Sequence, residues 1–307
     1  MIRKLLFAAG ALLMNIGATA QDSIPKGEVN LMVISDAGRN GYYEQTAVAA
    51  TMGKVAEQIG PDAVLALGDT HHYGGVQSVN DPLWMTNYEL IYTHPELMVN
   101  WHPICGNHEY RGNTQAMVDY SGISRRWEMP SRYYSKVFED DGTSVRVVFL
   151  DTTPLIDKYR EKSNTYPDAA IQDVGAQLEW IEQTLANAKE DWTVVVGHHP
   201  IYAFTDKSES ERTDMQKRVD TILRKYDVDM YICGHIHNYQ HILRTGSDID
   251  YVVNTSGALT RKPKKTEGTV FCSDAPGFSV LTADKNNLRL HLLNKDGHII
   301  HTVKRNK

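Results

Sequence analysis

Short apolar runs recur along the chain, and five of them stop at clusters of Asp, Asn and His. Val33-Ile34 leads into Ser35-Asp36-Ala37-Gly38, and Ala63-Val64-Leu65-Ala66-Leu67 into Gly68-Asp69-Thr70-His71-His72. Pro103-Ile104-Cys105 precedes Gly106-Asn107-His108-Glu109, and Val194-Val195-Val196 precedes Gly197-His198-His199-Pro200. Met230-Tyr231-Ile232-Cys233 ends at Gly234-His235-Ile236-His237. Continuous apolar runs this short read as strands buried on both faces. A further strand is expected over 145–150, closing at Asp151-Thr152. Helices are expected over 41–60, 83–92, 175–189 and 212–226, the third from Leu178, Ile181 and Leu185 at helical spacing. The stretch 153–173 reads as a long polar loop.

After Asn238 the texture changes. Apolar segments around 242–243, 250–254, 278–282, 288–293 and 298–303 read as successive antiparallel strands, with Asn286-Asn287 and Asp296-Gly297 at hairpin-type turns. The expected fold class is α/β: two mixed β-sheets packed face to face and flanked by helices. In open α/β sheets ligands gather beyond the carboxyl ends of strands. The five polar clusters should therefore converge on one edge.

Residues 1–20 read as a signal peptide, with Arg3 and Lys4 at the positive end, an apolar stretch over 5–17 and Ala18-Thr19-Ala20 as the cleavage site. The apolar stretch is too short to argue for a membrane anchor. The expectation is an exported protein, periplasmic or secreted, with residues 21–307 forming one domain and no membrane association after cleavage. Loss of Arg3 and Lys4 takes the net charge from −6 to −8, which argues against a nucleic-acid partner. Three Cys exclude a disulfide framework, and Cys105 and Cys233 read as buried thiols. Tyr73, Trp84, Tyr88, Trp101 and Trp127 are expected in the core or a pocket wall, and His241 on a strand.

The polar clusters are suited to metal chemistry. Carboxylates are hard oxygen ligands, while imidazole and an Asn carbonyl suit intermediate divalent ions. A bridging carboxylate such as Asp69 can hold two ions about 3.5–4 Å apart, and such a pair ionises water for attack on phosphorus. A His beside them serves as general acid. His235 and His237 lie two apart, so an extended backbone directs both to one side.

In their order, the five segments resemble the motifs of the calcineurin-like metallophosphoesterase superfamily, closest to the small, tartrate-resistant purple acid phosphatases. Gly75-Val76-Gln77, Asn80-Asp81, Asn238 and Tyr251-Val252-Val253 leading to Ser256-Gly257-Ala258 extend the resemblance over almost all of the mature chain. It implies that Asp36, Asp69 and His237 bind a first metal, with Asp69 bridging. Asn107, His198 and His235 bind the second. Asn107 and His108 contact substrate, and His108 protonates the leaving group or steadies the phosphate.

Two departures stand out. The family's sequence after Gly-Asp continues Asn-Phe-Tyr, whose Tyr binds ferric iron and gives the colour. Ungapped alignment puts His72 there, so the expectation is a colourless protein holding two ions drawn from Fe, Zn or Mn. His72 is then either the fourth ligand of the first metal, or else His71 or His72 merely points at substrate or solvent. The second phosphate-contacting His expected after Pro200 is missing from 201–213, leaving Lys207 or Arg212 as candidate cations. His199 is a candidate substrate contact or a residue at the pocket rim. The basic run Arg261-Lys262-Pro263-Lys264-Lys265 reads as a solvated turn, or as an attraction for phosphorylated substrates if it folds over the metals.

The function expected is an exported dinuclear-metal phosphomonoesterase of the acid phosphatase type, acting on small monoesters by metal-bound hydroxide. The alternatives are a phosphodiesterase or nucleotide pyrophosphatase with the same centre, or a catalytically weak metal- or phosphate-binding protein.

Overall fold

The computed structural model describes residues 23–307; the signal segment expected over 1–20 lies outside them. Among the described residues, thirteen strands form two mixed sheets. In chain order they begin with β1 (Val29–Ile34), β2 (Ala63–Ala66), β3 (Asn100–Pro103), β4 (Tyr134–Asp140) and β5 (Thr143–Phe149). Next come β6 (Trp192–Val196), β7 (Met230–Cys233), β8 (Tyr239–Ile242) and β9 (Asp250–Val253). The chain closes with β10 (Thr269–Ser273), β11 (Gly277–Ala283), β12 (Asn287–Asn294) and β13 (Ile299–Asn306). One sheet runs β13-β12-β11-β1-β2-β3, the other β10-β8-β9-β7-β6-β5-β4. β1, β2 and β3 are parallel, as are β5, β6 and β7, so each sheet delivers a set of strand ends to the same edge.

The apolar runs become strands because both of their faces are covered. Every residue of β1, β2 and β7 is buried. Across the core, the Tyr239 hydroxyl donates to the Phe278 and Leu293 carbonyls, and Ser279 Oγ donates to Asn254 Oδ1 at 2.6 Å. At the functional edge the sheets are joined directly: Ser35, just past β1, bridges Ser256, and the Gly257 N–H donates to the Ser35 carbonyl at 2.9 Å.

Several expectations need correction. The first helix, α1, spans Gln45–Ile59; residues 41–44 form a turn in which Gln45 Oε1 accepts from the Arg39 and Gly41 N–H groups. The helix expected over 83–92 starts at Leu83 but is shorter, passing at Met85–Glu89 into a π-helical turn that ends it. Two shorter helices, α2 (Thr114–Asp119) and α3 (Asp157–Glu161), were not anticipated. With a 3₁₀ turn at Pro167–Ala169, α3 breaks up the polar stretch 153–173, and buried Tyr159 and Tyr166 anchor it. The later helices are α4 (Val174–Ala186), α5 (Glu209–Met215) and α6 (Thr221–Lys225), the last two joined through a π segment, Gln216–Asp220. β4 was also missed, although Asp141-Gly142, both at positive φ, makes the two-residue hairpin turn that pairs it with β5. The late strands do not form one antiparallel series. β9 pairs in parallel with β7, and β8, β9 and β10 belong to one sheet while β11, β12 and β13 extend the other.

Trp84, Tyr88, Trp101 and Trp127 form a buried aromatic cluster, whereas Tyr73 is 63% exposed. Cys105 and Cys233 are buried free thiols, and His241 sits on β8 with Nε2 2.7 Å from Asp250 Oδ1. Among the described residues no helix is long and apolar enough to cross a membrane.

Candidate metal centre

The strand ends place Asp36, Asp69, Asn107, His198, His235 and His237 in one buried cluster. Asp36, Asp69, His235 and His237 all have positive φ, between 52° and 72°. That conformation is uncommon for non-glycine residues and is retained where surrounding structure enforces it, often at functional sites.

Each carboxylate has one oxygen pinned and the other directed inward. Asp36 Oδ2 accepts from the His235 N–H and from Ser35 Oγ, both at 2.8 Å. Its Oδ1 has no hydrogen-bond partner and lies 3.3 Å from His237 Nε2. Asp69 Oδ1 accepts from the His108 N–H at 2.9 Å, leaving Oδ2 3.4 Å from His72 Nε2 and 3.3 Å from His198 Nε2. Gly106 and Gly234 press against these carboxylates, and a Cβ at either would overlap Asp69 Oδ1 or Asp36 Oδ2 respectively.

The imidazoles are oriented by their second nitrogens. His198 Nδ1 donates to the Leu67 carbonyl at 2.8 Å and His237 Nδ1 to the Leu259 carbonyl at 2.7 Å, so Nε2 of each faces the centre. His235 is held the opposite way round. Its Nε2 lies 3.1 Å from Glu211 Oε2, while Nδ1 lies 3.2 Å from His198 Nε2. Donor atoms of Asp36, Asp69, His72 and His237 all lie within 4.8 Å of one another, as do those of His198, His199 and His235. Asn107 Oδ1 is buried without a hydrogen-bond partner.

The adjacent histidines after β2 part company. His72 turns inward, with neither ring nitrogen hydrogen-bonded, and its ring lies 4.2 Å from that of His108. His71 packs edge-on against Trp84 at 4.5 Å, away from the cluster, with Nδ1 3.4 Å from Asn87 Nδ2. His108 keeps 16% of its side chain exposed, against 2% or less for His72, His198 and His237. Its Nδ1 donates to the Tyr73 carbonyl at 2.7 Å, and Nε2 lies 3.9 Å from Asp69 Oδ2. His199 departs from the substrate-facing or rim position expected. It is fully buried, with Nδ1 2.8 Å from Thr152 Oγ1 and Nε2 3.1 Å from the Tyr159 hydroxyl.

Burial pushes the Asp36 carboxyl upward, but His237 and His198 outweigh it and hold the group far below the usual carboxylate range. Asp69 behaves likewise against His198, His108 and His72. His198 is raised to about 9, because Asp69 and Asp36 overcome its burial. Burial lowers His108 to about 4 and takes His72 below its ordinary value. His235 falls well below it too, through burial and then Lys207 and His198. Ionised Asp36 and Asp69 with the neutral imidazoles of His72 and His235 are donors suited to divalent cations, and a cation binding there would displace the proton that His198 holds.

Three groups around the cluster hold its ligands in place. Glu109 is buried, and its carboxylate accepts from the N–H groups of Asp69, His71 and Gly106 at 2.7–2.9 Å, tying two ligand loops together. Burial, then Asp69, raises it to about 7. Glu211 holds His235 while its Oε1 accepts from Lys158 Nζ at 2.6 Å and the Tyr159 hydroxyl at 2.8 Å. Glu109 had a sequence signal in its strand-end segment, whereas Glu211 had none. The third, Thr152 Oγ1, accepts from the His198 and His199 N–H groups at 3.2 Å. Of the two candidate cations, Lys207 reaches the cluster, with Nζ 3.2 Å from His235 Nδ1, while Arg212 NH1 turns back to the Lys207 carbonyl at 3.5 Å.

Residues 29–239 match the family model described as calcineurin-like phosphoesterase. The chain is 30% identical to purple acid phosphatase 4 of Arabidopsis thaliana, over 90% of this chain and 83% of that protein. It is 33% identical to tartrate-resistant acid phosphatase type 5 of Oryctolagus cuniculus, over 69% of this chain and 66% of that protein. In fold it resembles GAP50, described as the anchor in the inner membrane complex of Plasmodium, with a TM-score of 0.78 and 21% identity over 92% of this chain and 89% of that one. The protein belongs to the calcineurin-like phosphoesterase family, with the purple acid phosphatases among its relatives, and is a metal-dependent phosphoester hydrolase.

Proposed function

We propose that this chain is an exported phosphomonoesterase of the acid phosphatase type, with a centre for two divalent cations. The observation that carries this reading is Asp69, whose Oδ2 lies within 3.4 Å of donors from two separate groups, His72 on one side and His198 on the other. Asp36, Asp69, His72 and His237 would hold one cation, and Asp69, Asn107, His198 and His235 the other. The unpaired, buried Asp36 Oδ1 and Asn107 Oδ1 support the assignment, because a stranded buried acceptor costs about 1–3 kcal/mol unless something satisfies it. When bound, the cation pair lowers the pKa of water and offsets charge on the phosphate.

The chain's own residues do the rest. His108, the most accessible of the cluster's imidazoles, has its ring oriented by the Tyr73 carbonyl; burial holds it near 4, so Nε2 delivers a proton to a leaving alkoxide in the acid form that low pH populates. Asn107 positions the phosphate beside it. Lys207 provides the cationic contact that the missing downstream His leaves open. With imidazole rather than phenolate at position 72, Fe, Zn or Mn in the divalent state suits the site, and the protein is colourless. Export rests on the sequence of residues 1–20.

The test combines metal analysis and a visible spectrum of purified protein with rates on para-nitrophenyl phosphate and its bis ester. The expected result is two metal ions per chain, no visible band and faster turnover of the monoester. Asp69→Asn should lower kcat by about a hundredfold or more. Wild-type turnover in that variant overturns the proposal, and faster turnover of the bis ester replaces it with the phosphodiesterase alternative.

A further inference from the structure

Beside the centre lies an open pocket of about 310 Å³ whose lining includes Lys207, Arg261, Lys262, Asp206, Phe204 and Ile236. Ile236 stands between His235 and His237, so the pocket shares a wall with the cluster. The basic turn that supplies Arg261 is fixed to that wall. The Arg261 N–H donates to the His237 carbonyl at 2.8 Å, and the Leu259 carbonyl accepts from His237 Nδ1 at 2.7 Å. Lys264 of the same turn has its Nζ 5.2 Å from the centre of the Phe204 ring. In the lining, Lys207, Arg261 and Lys262 thus accompany a single carboxylate, Asp206. Neither Arg261 nor Lys262 has an ion-pair partner among the described residues, although Arg244, Arg289 and Arg305 all do. Unpaired cations around a concavity concentrate positive potential where an anion can enter.

We infer that this pocket receives a second anionic group on the alcohol part of the substrate, so the enzyme prefers phosphate monoesters carrying another negative charge to those with a neutral alcohol. This inference rests on the phosphomonoesterase reading. In it Lys207 serves the reacting phosphate, while Arg261 and Lys262 serve the second anion, with Phe204 and Ile236 covering the carbon atoms between.

The experiment compares kcat/KM for 3-phosphoglycerate and glycerol 1-phosphate, which differ at a carboxylate against a hydroxymethyl group. The metal-loaded wild-type enzyme should favour 3-phosphoglycerate by about tenfold, equivalent to about 1.4 kcal/mol, and the ratio should shrink as salt is raised. In Arg261→Ala/Lys262→Ala the ratio should collapse towards unity while kcat/KM for glycerol 1-phosphate holds, which also shows that the variant is folded. Arg261→Glu should invert the preference. Equal wild-type rates on the two substrates, or an unchanged ratio in the variants, overturn the inference while leaving the phosphomonoesterase reading intact. Failure to hydrolyse either substrate or para-nitrophenyl phosphate overturns both.

Discussion

Individual side chains in the centre are made specific by what holds their far ends. The carboxylates Asp36 and Asp69 each give one oxygen to a backbone N–H, and so each has a single oxygen left to aim. Glu211 does the same for His235, fixing which ring nitrogen faces the cluster. Loss of such a partner commonly weakens metal affinity by about 10–100-fold. Glu211→Gln should therefore weaken one of two metal-binding events by that factor in a calorimetric titration, leaving the other unchanged. The Gln side chain can still bond Tyr159, so the fold should persist. Equal affinity at both sites in variant and wild type would show that Glu211 serves only the Lys158 and Tyr159 contacts.

Strands and their exits set how closely the ligand loops approach. β2 and β3 run parallel, and Gly106 follows β3 against the Asp69 carboxylate, where a side chain has no room. Overpacking of this kind costs about 1–3 kcal/mol. Gly106→Ala should lower stability in urea by an amount in that range and reduce metal content, because the overlap falls on Asp69 itself. Full metal occupancy at unchanged stability would mean that the loop yields without moving the ligand. By contrast β4, on the outer edge of its sheet, contributes no residue to the cluster.

Across the fold, two sheets that meet at Ser35 and Ser256 bring ligands from opposite halves of the chain together. Such a centre gains from metal in the folded state alone. At free metal near a thousand times the dissociation constant, the linkage is worth about 4 kcal/mol. Thermal unfolding with and without EDTA should show a clear fall in Tm on chelation, restored by added zinc or manganese. Coincident melting curves would argue that the buried donors do not bind metal.

The strand-end positions of the Asp, Asn and His clusters were legible in the chain because they follow from local signals: a short apolar run, a glycine, then a donor. The two-sheet architecture was legible from the same runs. The sheet to which each late strand belongs was not, since β9 and β11 carry equally apolar sequences and are separated only by their partners. Nor does adjacency in sequence tell His72 from His71, or His199 from His198. Their directions depend on Asp69, Trp84, Thr152 and Tyr159, contributed by other segments. Asp36 grips the His235 N–H across 199 residues of chain, and Glu211 reaches the same ring from a helix. Contacts between distant segments have no local periodicity to announce them, and they exist only once the chain has packed.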